Sequence, residues 1–209
     1  MARDHARIRV DIWSDEDWRD LPSTAQWLYM QLLTSPSLNF CGVTDWRPAR
    51  IAALNAEMKA DDVEYAAAWL EAGEFLVVDR DTEEALIRSW VKHDGLMHSP
   101  NMSKALVKAH AAIGSGILRA VVVDQLERLK QNEPGLSGWK HVGTLLRKRS
   151  LTVGEAFLKL PPNPSVKGSA NPSEIRALLL TPSSVLHTPD PELSPHQSSH
   201  LTSDSEDVA

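Results

Sequence analysis

The chain has very little cysteine. Cys41 is the only one among 209 residues, so it can close no intrachain disulfide and can supply one thiolate at most. That excludes disulfide scaffolds and cysteine-rich zinc modules, and it suits a reducing compartment. Long apolar runs are also missing. The longest are short pieces such as Phe75 to Val78 and Ala120 to Val123, and neither reaches the length needed to cross a bilayer. The opening residues, Met1 to Trp13, hold no apolar stretch of signal-peptide length, so a cytoplasmic location with no membrane contact is expected. Phe and Tyr are scarce, 3 and 2 against 7 Trp, a bias that identifies no chemistry by itself.

Several catalytic and cofactor signatures are absent as well. No G-x-x-x-x-G-K-[ST] run exists, and Gly114-Ser-Gly116 lacks both a further glycine and a preceding strand, so no backbone cradle for nucleotide phosphates is expected. His93-Asp94-Gly-Leu-Met-His98 brings two imidazoles and a carboxylate close in sequence. They lack the i, i+4 register of a helical zinc pair, and no second ligand cluster follows, so a polar loop is the expected reading. Cys41 stands between Phe40 and Gly42, where a thiol behaves as a small hydrophobe. No enzymatic activity and no cofactor are expected.

What the chain does carry is a strongly uneven charge. At 42% hydrophobic and 24% charged residues it has the make-up of a globular protein, with a net charge of −6. Residues 1–87 hold 8 Lys and Arg against 17 Asp and Glu, a net −9; residues 88–149 hold 11 against 4, a net +7. Residues 150–209 return to −4, with 3 against 7. A polyanion, if it binds, should meet the middle of the chain.

The local pattern places the elements. Ser23-x-x-Gln26 after Pro22 reads as a capping box opening a helix over 23–34, with Ala25, Leu28, Tyr29, Leu32 and Leu33 on its apolar face. Phe40 to Thr44 reads as a short strand, and Asp45 with Pro48 opens a short helix through Ile51 and Leu54. A third helix is expected from Asp61-x-x-Glu64 to Gly73, burying Val63, Ala66, Ala67 and Leu70. Strands over 75–78 and 85–90, joined by the polar stretch 79–84, read as a hairpin. The order helix, strand, helix, helix, hairpin is that of a winged helix-turn-helix domain, here assigned to residues 1–95.

Residues 96–160 read as a helical extension. Helices are expected around Met102 to Ile113 and Leu118 to Leu129, parted by Gly114-Ser-Gly116, and then around Trp139 to Leu146, with Thr152-x-x-Glu155 capping a last one. Residues 161–209 contain 8 of the 13 prolines and 10 serines, too little apolar surface to offset the entropy of ordering, and read as a disordered acidic tail. Within it, Ser173 to Leu180 could form two helical turns against a partner or against its own domain. The fold class expected is therefore mostly α, a winged helix-turn-helix domain with added helices and a disordered C-terminal tail.

Recognition is the functional signal that survives. The third helix offers Asp61, Asp62, Glu64 and Glu71, and such side chains repel phosphate rather than read a major groove. Cations gather later. Arg88 and Lys92 sit on the second hairpin strand and its exit, Lys104 and Lys108 one turn apart on a helix, then Lys140, Arg147, Lys148 and Arg149. These are the residues expected to contact DNA phosphates.

Four segments, taken together, resemble a known family: Val10-Asp-Ile-Trp-Ser-Asp-Glu-Asp-Trp18, Leu21-Pro-Ser-Thr-Ala-Gln-Trp-Leu-Tyr29, Leu38-Asn-Phe-Cys-Gly-Val43 and Trp90-Val-Lys-His-Asp94. They are similar to the N-terminal domain of phage and prophage replisome-organiser (replication-initiation) proteins, particularly those of actinobacterial phages, over about residues 7–113. The resemblance implies a winged helix that binds origin DNA in a bacterial host cytoplasm and helps assemble the host replicative helicase. Double-stranded DNA and the helicase, or another replisome protein, are the partners it implies; a homo-oligomer stays open. So do two other readings, a winged-helix transcriptional regulator and a protein-interaction adaptor that does not bind DNA.

Overall fold

The computed structural model describes Ala6, residues 8–166 and Ala177; apart from Ala177, the expected helix over 173–180 and the rest of the expected disordered tail beyond residue 166 lie outside the described residues. What is described is mostly helical with one small sheet. A 3-10 turn at Val10–Ser14 leads into α1 (Glu16–Arg19), capped by Asp15, whose carboxylate accepts the Trp18 N–H at 3.2 Å. Then come α2 (Ser23–Leu33), β1 (Val43–Asp45), α3 (Pro48–Ala52) and α4 (Ala60–Ala72), followed by β2 (Leu76–Asp79) and β3 (Glu84–Ile87). The remaining helices are α5 (Trp90–His93), α6 (Pro100–Ala112), α7 (Gly116–Asn132), α8 (Trp139–Val142) and α9 (Val153–Phe157), with 3-10 turns at Leu96–His98 and Leu145–Arg147.

The sheet is antiparallel throughout and ordered β1-β3-β2, so the strand between α2 and α3 pairs with the last strand of the hairpin. β1 starts three residues later than the sequence suggests. Asn39 explains this: its side-chain oxygen accepts the N–H groups of Cys41 and Val43 and bends residues 39–42 into a turn. Gly42 closes that turn at φ +80°, with the Trp90 Cβ only 2.4 Å from where a side chain would begin, so no other residue fits there. β3 ends at Ile87, short of the expected Trp90: the last ladder pair is Leu76 with Ile87, and beyond it a single backbone bond remains, from the Arg88 N–H to the Phe75 carbonyl at 3.2 Å. The chain turns instead into α5, which buries Trp90 and Val91.

Helix starts differ from the sequence reading in instructive ways. Ser23 makes no cap; Gln26 reaches back to donate to the Trp18 carbonyl at 2.9 Å. At α4 it is Asp62 that folds back to accept the Lys59 N–H at 2.7 Å, which leaves Glu64 for other work. The left-handed residue after α4 is Glu74, at φ 56°, rather than Gly73. The Thr152–Glu155 capping box on α9 forms as the spacing suggests. The expected helix over 139–146 is split at Gly143 into α8 and a 3-10 turn.

Residues assigned by sequence to a domain and to its extension share one continuous core. Trp18, Leu28, Leu70 and Leu86 belong to the same buried cluster as Leu106, Leu118, Leu126, Leu145 and Phe157. The reason is geometric: α7 packs on α5 and β2, and α9 packs on both α7 and β2. Residues 161–166, which composition assigns to the tail, also have a place. They lie against α4, with Asn163 and Val166 buried.

Candidate nucleic-acid interface

Every one of the cations singled out in the sequence is exposed, yet they do not form one stripe. Arg88 lies just past the end of β3 and is 3.5 Å from Glu74. Lys92 lies on α5 rather than on a strand exit. Both line a cleft of about 760 Å³ between the N-terminal segment, the exit of the hairpin, α7 and the start of α9. Its floor is apolar, with Tyr29, Leu33, Phe75, Ile87 and Leu129, and its wall adds two cations that sequence reasoning missed, Arg9 and Arg128.

Those two are tied down. Arg9 pairs with Asp11 at 2.6 Å, and Arg128 with Asp124 at 2.8 Å, one turn back on α7. The Asp124–Arg128 spacing was legible in the sequence; the approach of Arg9 to the cleft was not. At the same cleft, burial together with the charges of Lys92 and Arg9 holds the His93 imidazole below its ordinary pKa, against the pull of Asp11.

The other six cations sit on the later helices, and none of them lines the cleft. Lys104 and Lys108 are one turn apart on α6, and Lys140 is on α8, which packs on α6. Arg147 ends the 3-10 turn that packs on α7, and Lys148 and Arg149 follow it. The His110 pKa is lowered chiefly by burial, with Lys148 adding to it, and that of Glu155 chiefly by its hydrogen bonds from Thr152, with Arg149 adding a small part. The set is thus divided between the cleft and the helical layer made by α6, α8 and the turn after it.

The four acidic residues that α4 offers do not all face solvent. Asp61 and Asp62 are exposed, but Glu64 and Glu71 turn inward, and Glu71 is only 3% exposed. Glu64 accepts from the Trp46 indole N–H at 3.1 Å and from Arg80 at 2.8 Å. Arg80, in the hairpin turn, also donates to both oxygens of Glu71 at 3.0 Å. Burial works against the Arg80 charge, but the Glu71 and Glu64 carboxylates outweigh it and hold its pKa above the usual value. What α4 shows to solvent is Asp61, Asp62 and Tyr65.

Burial pushes the Cys41 thiol up to about 12, far from the thiolate a nucleophile needs. Among the described residues, no group of three or more His, Cys, Asp or Glu is placed to hold a metal ion, and no helix is long and apolar enough to cross a membrane. No protein-family model, no curated protein and no solved structure matches the chain.

Proposed function

We propose that this chain is a non-catalytic winged-helix protein that binds double-stranded DNA and acts in phage or prophage replication, at an origin or in assembling the replisome. The observation that carries the fold part of this reading is the pairing of β1 with β3 in a sheet of order β1-β3-β2, reached through α2, α3 and α4 in turn. A wing needs that connection, because the hairpin must be anchored beside the helix that precedes it. The replication role rests on the resemblance carried by residues 10–18, 21–29, 38–43 and 90–94.

Phosphate contact is assigned to Lys104, Lys108, Lys140, Arg147, Lys148 and Arg149, with Arg88 and Lys92 at the cleft mouth. All are exposed, whereas α4 offers solvent two aspartates and a tyrosine. Groove reading by α4 is therefore a minor part of the affinity, and counterion release from the later helices is the larger part. The host replicative helicase, or another replisome protein, is the proposed second partner.

Replacing Lys104, Lys108, Lys148 and Arg149 with Gln tests this. Binding to every duplex should weaken, and the slope of log K against log salt should flatten by about 0.9 for each phosphate that is no longer neutralised. Replacing Asp61 and Asp62 with Ala should leave affinity unchanged or raise it. An unchanged salt slope in the Gln variant sinks the assignment of these cations. Absence of duplex binding at low salt by the unaltered chain favours a protein-interaction adaptor instead. Sequencing DNA crosslinked to the protein in its host separates the remaining roles, since origin enrichment supports replication and promoter enrichment supports a transcriptional regulator.

A further inference from the structure

The longest helices among the described residues differ sharply in charge. α2 carries none, α4 carries four acids and no cation, and α7 mixes Asp124 and Glu127 with Arg119, Arg128 and Lys130. α6 carries Lys104 and Lys108 and no acid. Its packing sets which side it shows. Ser103, Leu106 and His110 are buried, and at about 3.6 residues a turn they leave Asn101, Lys104, Ala105, Lys108, Ala111 and Ala112 on the opposite side. All of these are exposed except Ala105, which is half-buried. Among the described residues, the Asn101 carboxamide has no hydrogen-bond partner and neither lysine has a carboxylate partner. Arg9, Arg80, Arg88 and Arg128, by contrast, are each paired with one.

Both ends of α6 are fixed. Ahead of its start, the Ser137 hydroxyl donates to the His98 carbonyl at 2.8 Å and the Gly138 N–H donates to the Met97 carbonyl at 2.9 Å, which ties the turn entering α6 to the segment before α8. Gly138 lies so close that a Cβ there would stand 2.7 Å from the Met97 carbonyl oxygen. Beyond its end, Glu84 accepts the Gly114 N–H at 2.9 Å. The outer side of α6 is therefore presented in one orientation, beside Lys140 on α8, which packs on α6.

We infer that α6, rather than α4, is the helix that enters the major groove of DNA, with Asn101 reading an adenine. That groove is about 12 Å wide and admits a single helix. The alanines at 105, 111 and 112 keep the outer side of α6 thin, so its backbone can approach the base edges, and no carboxylate on it meets the phosphates. A carboxamide offers one donor and one acceptor side by side, the match for the adenine amino group and N7. Asn101 stands in the first turn, the part of a groove-reading helix that contacts bases. Lys104 and Lys108, one and two turns further along, keep the phosphate contacts assigned above. The exposed Asp61 and Asp62 keep α4 off the duplex. The inference rests on the DNA-binding reading above and adds sequence selection to it.

The test selects duplexes from a random pool with the full chain and then titrates the selected duplex and its single-base variants. The parent should select a site with an adenine at one fixed position. Asn101→Ala, at an exposed position, should melt like the parent by circular dichroism. It should lower discrimination at that base pair by about fivefold or more, with the slope of log K against log salt unchanged. Lys104→Gln with Lys108→Gln should flatten the slope by about 0.9 for each lysine and keep the selected sequence. Asp61→Ala with Tyr65→Ala, which strips exposed side chains from α4, should also keep it. Undiminished discrimination in Asn101→Ala overturns the inference, and so does a new selected sequence in the α4 variant. A parent that binds duplex but selects no sequence overturns it too and leaves the DNA-binding reading intact. If the parent binds no duplex at low salt, the DNA-binding reading falls and takes the assignment of α6 with it.

Discussion

The Glu84 carboxylate on β3 accepts the backbone N–H of Ser115 at 2.7 Å, across 31 residues of sequence. Its other oxygen accepts the N–H of Gly114 at 2.9 Å, so one side chain clamps the break between α6 and α7 to the hairpin. Ser115 caps α7 by accepting the Leu118 N–H at 3.0 Å, and a carboxylate beside that helix start also suits the positive end of the helix dipole. The hairpin and the later helices are therefore coupled by a specific polar contact as well as by their common core.

Glu84→Gln should cost about 1–3 kcal/mol, the range for losing a hydrogen bond to a charged acceptor. Urea unfolding measures this directly. A midpoint and slope equal to those of the parent would mean that the shared apolar core alone holds the two parts together.

Asn163 and Val166 predict a sharp boundary for truncation. A chain ending at Leu160 leaves the buried Glu71 carboxylate one donor short and bares Ala68 and Ala72, which should cost about 1–3 kcal/mol. A chain ending at Lys167 keeps both interactions and should melt close to the full-length temperature. Equal melting of the two shortened chains would show that residues 161–166 contribute nothing to stability.

His110 gives the fold an acid limit. It is 1% exposed, and its Nε2 lies 3.1 Å from the Arg119 carbonyl, so Nε2 carries the proton and Nδ1 does not. Nδ1 has no hydrogen-bond partner. Burial depresses its pKa below the ordinary 6.5, and the nearby charges of Lys148 and Arg119 add to this, against the rise from the Arg119 carbonyl bond. A depressed imidazole pKa means that the unfolded chain takes up the proton first. The stabilisation is complete above about pH 6.5 and is lost as the pH falls through the lowered native value. Urea midpoints at about pH 7.5 and about pH 5.5 should drop more for the parent than for His110→Gln, which cannot be protonated in that window. Parallel drops would assign the acid sensitivity to other groups.

Much of the fold was legible because it depends on local periodicity. The apolar stripe of Ala25, Leu28, Tyr29, Leu32 and Leu33 gave α2, and all five are buried. The stripe of Val63, Ala66, Ala67 and Leu70 gave α4 in the same way, and Gly114-Ser-Gly116 gave the break before α7. Errors arose where a side chain had a choice of partner. Ser23 and Glu64 both stand at capping positions, yet Ser23 makes no cap and Glu64 meets Arg80 and Trp46, partners 16 and 18 residues away.

By itself, the sequence determined the longer helices α2, α4, α6 and α7, the exclusion of disulfide and cysteine-rich zinc scaffolds, and the concentration of positive charge after residue 87, since each follows from composition or from neighbours within a turn or two. Only the tertiary structure decided which charges remain available to a partner. Glu71 looks like any surface glutamate until Arg80 and Asn163, the latter 92 residues away, close over it. Arg88 and Lys92 look continuous with Lys104 and Lys108 until the chain folds the first pair to the cleft and leaves the second on α6. The physical reason is that the reach of a charge is set by distance and burial in space, and neither is encoded in the spacing of residues along the chain.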